Sequence, residues 1–271
     1  MGWRPKHYQL NITITRDAQT SYFGSVEIYV EATETSSSLS LHVGRPISEI
    51  ILPQISIYNC YTGIDIFRPW TVTTFFQLRN ARSVFPCFDL PVMKTTMELC
   101  ITHPAGTEAR SNEQLSKISN INGKTESCFE RTPPMSTYLY AFTIFDRMSS
   151  LKEGREKFGE GLPEIEVLYS EEDSIIRPEW INREAAHALK TMSAISGLNY
   201  PLKKINLMAT FLPVYGVENF GLILLDERFV AYPKYRLAHT ILAHEVAQHW
   251  IGNIVTIKNW KEMCLQVGIS F

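Results

Sequence analysis

The stretch 244–250 reads His-Glu-Val-Ala-Gln-His-Trp, and it decides how the whole chain is interpreted. It comes close to His-Glu-x-x-His, in which two histidines one helical turn apart bind zinc and the glutamate acts as a base. Residues i and i+4 of an α-helix differ by about 40° around the axis, whereas i and i+5 differ by about 140°. Here the second histidine stands at i+5, and Gln248 takes the ligand position. The stretch therefore predicts a helix in which the ligand His244 remains and His249 is displaced.

The chain before residue 150 has the period of two that is typical of β-strands. Apolar and polar residues alternate at 8–14, 26–30, 39–43 and 97–101, with turn-rich stretches between these segments. The alternation predicts an antiparallel sheet with one face in solvent. The stretch 137–145 is more continuously apolar and predicts a buried strand.

A charged segment at 152–160 interrupts this pattern and places a domain boundary near residue 150. The predicted domains are 1–150 and 151–271, and a solvated loop inside a single domain is the alternative. Patterns in the second domain predict these elements: strands at 165–169, 205–211 and 221–226, helices at about 178–196 and 237–251, and a helical segment from Trp260. The expected fold class is α+β.

Composition argues against several kinds of partner. The formal net charge of the 271 residues is −2, which gives no indication of a nucleic-acid or an anionic-membrane partner. No stretch reaches about 18 uninterrupted apolar residues, so no transmembrane segment is predicted, and no signal-peptide pattern is visible. On these grounds we expect a cytoplasmic location. The sequence does not indicate the oligomeric state.

The chain has five cysteines: Cys60, Cys87, Cys100, Cys128 and Cys264. Their number is odd and no C-x-x-C spacing occurs, which favours buried free thiols over a disulfide framework. Residues 11–13, Asn-Ile-Thr, form a glycosylation sequon inside a predicted strand, although such triplets also occur by chance.

Four stretches carry motifs in a fixed order. They read T-T-F-F-Q-L-R-N-A-R-S-V-F-P-C-F-D at 73–89, T-P-P-M-S-T-Y-L-Y-A-F at 132–142, Y-G-V-E-N-F-G-L at 215–222 and H-E-V-A-Q-H-W-I-G-N-I-V-T at 244–256. These stretches resemble T-T-Q-F-E-P-T-D-A-R-x-x-F-P-C-F-D, T-P-P-M-S-T-Y-L-x-A-F, G-A-M-E-N-W-G-L and H-E-L-A-H-Q-W-F-G-N-L-V-T of the gluzincin zinc aminopeptidases, the family of aminopeptidase N. The resemblance implies an N-terminal antiparallel β-saddle domain followed by the first part of a thermolysin-like metallopeptidase domain.

The resemblance also implies a zinc site with three protein ligands. In the family these are the two histidines of the signature and a glutamate nineteen residues after the second histidine. Carried over to this chain, His244 keeps the first position, Gln248 replaces the second ligand and Val267 replaces the third. Valine cannot coordinate a metal, and a neutral amide is a poor zinc ligand beside imidazole or carboxylate. We therefore expect zinc binding to be weak or absent.

The implied catalytic and substrate-binding positions are only partly kept. Glu245 occupies the position of the general base, which removes a proton from zinc-bound water. Glu218, with Gly216 and Asn219 in the same motif, corresponds to the carboxylate that holds the free amine of the peptide. Gln77 replaces the second amine-binding carboxylate. The family's oxyanion tyrosine and later domains would follow residue 271, so the resemblance implies a truncated relative.

The expected function is an aminopeptidase N-like protein that is catalytically inactive and still binds peptide N-termini. The alternative is an active zinc aminopeptidase with unusual metal ligands. For that alternative, a π-bulge would have to bring His249 back to the metal. Glu262 is a conceivable replacement carboxylate, but its position predicts that it points away from the site.

Overall fold

The computed structural model describes residues 2–15, 22–34, 38–44, 55–58, 64–67, 71–170 and 175–269. Cys60 and the last two residues therefore lie outside the described part. By its internal contacts the chain divides into two compact units, Met1–Ile66 with Thr71–Ile144 and Phe67–Trp70 with Phe145–Phe271.

The first unit is built from two sheets. Its strands are β1 (Trp3–Thr13), β2 (Phe23–Ala32), β3 (Ile55–Tyr58), β4 (Ile64–Phe67), β5 (Thr71–Thr74), β6 (Thr96–Pro104), β7 (Glu108–Ser111), β8 (Leu115–Ile121), β9 (Lys124–Phe129) and β10 (Phe142–Phe145). One sheet has the order β3-β2-β1-β6-β9-β8 and the other has the order β4-β5-β10-β7.

The strand β1 confirms the predicted alternation. Its even-numbered apolar side chains, from Tyr8 to Ile12, are buried, while Gln9 is partly exposed and Asn11 is exposed. β1 pairs with β2 in antiparallel fashion, as predicted, but it pairs with β6 in parallel fashion. The larger sheet is therefore mixed and not purely antiparallel, because the order of its strands brings two strands of the same direction side by side.

Two predicted strands differ from the structure. In the stretch 39–43, His42 forms one isolated bridge to Cys87, and no strand forms there. The stretch 137–145 begins with a 3-10 turn at Thr137–Leu139 and becomes a strand at Phe142. Both parts of this stretch are buried, so its apolar composition correctly indicated burial but not the local backbone shape.

The prediction of free thiols is wrong for two of the cysteines. Cys100 on β6 and Cys128 on β9 are directly opposite each other and form a disulfide, with their Cα atoms 4.0 Å apart. Cys87 is a buried free thiol, as predicted, whereas Cys264 is exposed. Cross-strand pairs depend on which strands become neighbours, and the spacing of cysteines along the chain carries no information on that point.

The second unit combines a five-stranded sheet with helices. Its elements are β11 (Met148–Glu153), α1 (Arg155–Phe158), β12 (Glu164–Ser170), α2 (Pro178–Ser196), β13 (Lys204–Thr210), β14 (Gly216–Val217), β15 (Leu222–Asp226), α3 (Glu227–Val230), α4 (Arg236–Ala247) and α5 (Met263–Ile269). The strand order is β11-β12-β13-β15-β14, in which the three central strands are parallel.

The predicted helix α2 has the expected ends. Pro178 is in its first turn, and Gly197 ends it in the left-handed conformation with φ 71°. This conformation favours glycine because a side chain there would be strained. Its apolar stripe is buried up to Leu189, while Ile195 at the end of the stripe is 75% exposed. No helix among the described residues is long and apolar enough to cross a membrane.

The disulfide makes a testable contribution to the first unit. It closes a sequence separation of 28 residues, for which the loss of unfolded-state entropy corresponds to about 3 to 4 kcal/mol. We expect the double variant Cys100→Ser/Cys128→Ser to lose about this much free energy of unfolding in a urea titration. The control Cys264→Ser, at an exposed free thiol, should leave the titration unchanged. Alkylation of Cys100 and Cys128 in denaturant without prior reduction would contradict the assignment.

Candidate functional site

The end of α4 places Gln248 on the same side as His244. The helix ends at Ala247, earlier than predicted, and the amide of Gln248 donates to the carbonyl oxygen of His244 at 2.9 Å. This is the ordinary i to i−4 bond of an α-helix, so the two side chains lie one turn apart on one face. The side-chain amide of Gln248 contacts Nε2 of His244 at 2.5 Å. The glutamine thus occupies the position where the signature needs a second histidine, and it engages the ring nitrogen of the first.

A second glutamine completes this cluster. Gln266 on α5 is buried, and its amide nitrogen lies 3.5 Å from Oε1 of Gln248. Its neighbour Val267, the position expected for the third ligand, is only partly buried. Sequence reasoning missed Gln266 because the motif comparison directed attention to position 267. The described cluster is therefore an imidazole and two neutral amides, His244, Gln248 and Gln266.

His249 is a core residue in the structure. Its ring stacks on Tyr200 at a centroid distance of 5.5 Å and meets Phe220 edge-on at 5.4 Å, and its Nδ1 lies 3.2 Å from the Tyr200 hydroxyl. Burial, together with the charge of Lys204, lowers the pKa of His249 to about 3, so the ring is neutral. The backbone amide of His249 bonds to the carbonyl of Val246 in a 3-10 turn, so no π-bulge brings the ring to His244. The displaced histidine is therefore packed in an aromatic cluster with Tyr200 and Phe220.

Glu262, the conceivable replacement carboxylate, is engaged by its own turn. Its carboxylate accepts hydrogen bonds from the amide of Lys258 at 2.9 Å and from the side chain of Asn259 at 3.2 Å. These contacts stabilise the turn before α5.

Two buried glutamates form the acidic part of the site. Burial is the main cause that raises the pKa of Glu218 to about 7 and that of Glu245 well above its usual range, and the charge of Glu218 raises the latter further. Oε2 of Glu245 has no hydrogen-bond partner among the described residues. Two carboxyl groups that are close together in a dry environment cannot both ionise without cost. The two glutamates therefore hold their protons to higher pH than exposed carboxyl groups do.

Gly216 provides the space that Glu245 occupies. A Cβ atom added at Gly216 would lie 2.5 Å from Oε1 and 2.6 Å from Cγ of Glu245. The motif G-A-M-E-N-W-G-L has alanine at the position of Gly216. An alanine there is incompatible with the observed place of the Glu245 side chain, so this glutamate lies against the backbone of β14 because the chain has glycine at 216.

The remaining predicted substrate residues are in different parts of the chain. Asn219 is buried, and its carbonyl accepts from the amide of Leu222 in the turn before β15. Its side-chain nitrogen has no hydrogen-bond partner among the residues that the structure describes. Asn253 donates to the backbone carbonyl of Glu218 at 2.9 Å and so fixes this loop. Gln77 belongs to the first unit, whereas the other predicted site residues belong to the second.

His244 is accessible from one side. A cavity of about 390 Å³ between α2 and α4 is lined by His244, Ala243, His239, His187, Met192 and Glu184. Nδ1 of His239 lies 3.1 Å from Glu184, and its Nε2 lies 2.8 Å from the carbonyl of Pro233. Within the described ranges no group of three or more His, Cys, Asp or Glu side chains could hold a metal ion. Since zinc sites in proteins use such donors, these residues do not fit a catalytic zinc ion.

Comparison with protein families gives two matches. Residues 55–139 match the Peptidase M1 N-terminal domain, and residues 181–270 match the Peptidase family M1 domain. Together the two matches cover more than half of the chain.

Individual relatives include peptidases and a protein named as a non-peptidase. The chain is 25% identical to Matrix non-peptidase homolog 1 of Caenorhabditis elegans, in an alignment covering 95% of this chain and 39% of that protein. It is 31% identical to human glutamyl aminopeptidase, covering 73% of this chain and 21% of the enzyme. It is 30% identical to mouse aminopeptidase Q, in an alignment covering 86% of this chain and 43% of that protein. The chain thus spans less than half the length of these relatives.

The buried acidic pair predicts how stability depends on pH. A carboxyl group whose pKa is higher in the folded than in the unfolded state stabilises the fold at low pH, and this contribution is lost as pH rises through the folded-state pKa. For Glu218 this contribution is lost as the pH rises from about 4.5, the ordinary pKa of a glutamate, to about 7, its pKa in the folded chain. We expect the free energy of urea unfolding of the wild type to fall between pH 5 and pH 8 relative to that of Glu218→Gln/Glu245→Gln. The comparison between the two proteins cancels the opposite contribution of His249, whose lowered pKa makes stability rise with pH up to about 6.5. Glu160→Gln, which removes an exposed carboxylate, is the control and should keep the wild-type slope.

Proposed function

Since this chain belongs to peptidase family M1, we propose that it is an aminopeptidase homologue that does not hydrolyse peptides and that binds their N-termini. The observation that carries the proposal is the contact between the Gln248 amide and Nε2 of His244. That nitrogen carries the lone pair that an imidazole offers to a metal. A hydrogen bond from an amide uses the same lone pair, and the described residues contain no group of three or more His, Cys, Asp or Glu side chains that could hold a metal ion there.

Loss of the metal removes the base function of Glu245 as well. A zinc ion makes a bound water acidic enough to lose its proton near neutral pH, whereas bulk water is far less acidic. In this chain Glu245 is 4% exposed, lies beside Glu218 and has a raised pKa. A glutamic acid that retains its own proton cannot take one from water. Hydrolysis is therefore not expected even where a peptide is bound.

The acidic pair suits a different task, which is to bind an ammonium group. The α-amino group of a peptide is a cation near neutral pH. If it lay between Glu218 and Glu245, its charge would favour the ionised carboxylates, and the proton held by the pair would be released. Glu218 follows β14 directly, and β14 is the edge strand of its sheet. An extended peptide can add to such an edge by backbone hydrogen bonds while its amine reaches the carboxylates.

The names of the relatives agree with the two parts of this proposal. The aminopeptidases are named for removing N-terminal residues, which supports peptide N-termini as the ligand class. The nematode relative is named as a non-peptidase, which supports loss of hydrolysis in a chain of this family. A cytoplasmic location stays a prediction, and the disulfide between Cys100 and Cys128 is evidence against it, because such bonds persist in oxidising compartments.

The first test measures zinc and hydrolysis together. After dialysis against zinc and then against a weak chelator, we expect well under one zinc ion per chain, because one imidazole and two amides are a poor ligand set. Alanine and leucine anilides should be hydrolysed no faster than by the buffer. Stoichiometric zinc, with hydrolysis that disappears in Glu245→Gln, would instead establish an active enzyme with unusual ligands.

Restoring the donors provides the matched control. Gln248→His/Val267→Glu restores the residue types of the family's ligand set at positions 248 and 267, and we expect its zinc content to rise. Adding His244→Ala to this variant should reverse the gain. His249 is left unchanged because it packs in the aromatic core. No gain in zinc would mean that the substituted ligands are not the reason for weak binding.

A second test concerns the peptide amine. We expect a fluorescently labelled Ala-Ala-Phe peptide to bind about tenfold or more tightly than its N-acetylated form, because a hydrogen bond to a charged group contributes about 1.5–3 kcal/mol. Affinity should rise from pH 6 towards pH 7.5 as Glu218, with a pKa of about 7, ionises. It should fall again above about pH 8, where the α-amino group loses its charge.

The Glu218→Gln variant distinguishes the amine site from general peptide affinity. It should reduce binding of the free peptide by about tenfold and leave the weak binding of the acetylated peptide unchanged. Equal affinities of the two peptides for the wild-type chain would show that the acidic pair does not bind the amine, whatever the outcome for zinc.

A further inference from the structure

The sequon at residues 11–13 lies on the solvent face of the larger sheet of the first unit. It is the single Asn-x-Ser/Thr triplet in the 271 residues. Proline at the middle position would prevent glycosylation, and this triplet has isoleucine there. Its middle residue, Ile12, points into the core and is 2% exposed. Successive side chains of a strand point to opposite faces, so Asn11 and Thr13 share the outer face. Asn11 is exposed and Thr13 is partly exposed.

The surface beside Asn11 is concave and has both polar and aromatic groups. A depression of about 230 Å³ is lined by Asn11, Thr13, Phe23, Ser25, Thr102 and Glu126, which come from four adjacent strands. In the register of the β1–β2 pair, Ser25 is opposite Asn11 and Phe23 is opposite Thr13. Phe23 is therefore the diagonal neighbour of Asn11, a position from which an aromatic ring can reach a group attached there. Its ring is 47% exposed.

The chemistry of this surface matches a sugar ring. One face of a pyranose carries C–H groups and can cover an exposed aromatic ring, while its hydroxyl groups need donors and acceptors at the edge. Phe23 supplies the apolar surface, and Ser25, Thr102 and Glu126 supply the polar groups around it. Covering Phe23 would also remove an exposed apolar side chain from water.

The disulfide between Cys100 and Cys128 is typical of the compartment in which asparagine glycosylation occurs. In the β1–β6 pair Asn11 is opposite Cys100, which is bonded to Cys128 on β9. Structural disulfides form in the secretory pathway and on secreted proteins, where the glycosylation of Asn-x-Ser/Thr also takes place. The same sheet face therefore carries two features of one compartment.

From these observations we infer that Asn11 is an N-glycosylation site and that the first sugar of its glycan rests on Phe23. The donor is a polyprenyl-pyrophosphate-linked oligosaccharide of the secretory pathway. The side-chain nitrogen of Asn11 forms a bond to the anomeric carbon of the sugar, the bond from that carbon to the pyrophosphate breaks, and the amide nitrogen loses one proton to the transferase. This inference is independent of the peptide site in the second unit.

Expression in secretory cells tests the modification. The full chain, directed into the endoplasmic reticulum by a cleavable signal peptide, should shift in gel mobility on treatment with peptide-N-glycosidase, and mass spectrometry should locate the glycan on Asn11. Asn11→Gln and Thr13→Ala should abolish the shift, whereas Thr13→Ser keeps the sequon and should retain it. Total cell extract is analysed, because transfer occurs on the translocated chain and does not require secretion. An unmodified Asn11 in translocated wild-type chain would overturn the inference.

A second measurement tests whether the folded sheet accommodates the glycan. Peptide mapping should find the Cys100–Cys128 disulfide in the glycosylated fraction, and the glycosylated chain should unfold at a higher temperature than its enzymatically deglycosylated form. Phe23→Ser should remove this difference while leaving the glycan in place. Glycan only on chains that lack the disulfide would show that the modified chain does not fold, and an unchanged difference in Phe23→Ser would overturn the packing on Phe23.

Discussion

The contact between the Gln248 amide and Nε2 of His244 determines what the histidine of the second unit's site can bind. It uses the lone pair of Nε2 that an imidazole offers to a metal. The pKa of a carboxyl group falls beside a cation and rises in a dry environment without one. For Glu218 and Glu245 the effect of burial dominates, and both pKa values are raised. These two carboxyl groups therefore stay protonated to higher pH than exposed glutamates do.

Much of the fold could be predicted from the sequence, because its evidence is local. The alternation of apolar and polar residues identified β1 and β6, and Pro178 and Gly197 marked the ends of α2. The pattern of residues near the histidine stretch predicted correctly that Gln248 lies one turn from His244. In each case the decisive residues are within about one or two helical turns or along one strand, where periodicity and capping act directly.

Features that depend on distant neighbours could not be predicted in this way. The pairing of Cys100 with Cys128 requires β6 and β9 to be adjacent, and the parallel β1–β6 pair requires a strand order that alternation does not encode. The side chain of Gln266 lies 3.5 Å from that of Gln248, whereas the spacing from the histidines had directed attention to position 267. The role of Gly216 is visible only once Glu245 is seen to occupy the space of its absent side chain.

Burying Glu218 and Glu245 has a cost in stability. A carboxyl group that must be dehydrated costs free energy as soon as it ionises, so Glu218 and Glu245 destabilise the fold at neutral and higher pH relative to glutamine. His249 illustrates the opposite solution, since it is neutral, stacked between rings and compatible with a packed core. Groups that reduce stability are characteristic of sites where a ligand compensates for them. In the proposed complex the peptide's ammonium group would place a positive charge beside the pair. The ligand would then stabilise the ionised form that burial disfavours, so binding would be coupled to the stability of the unit.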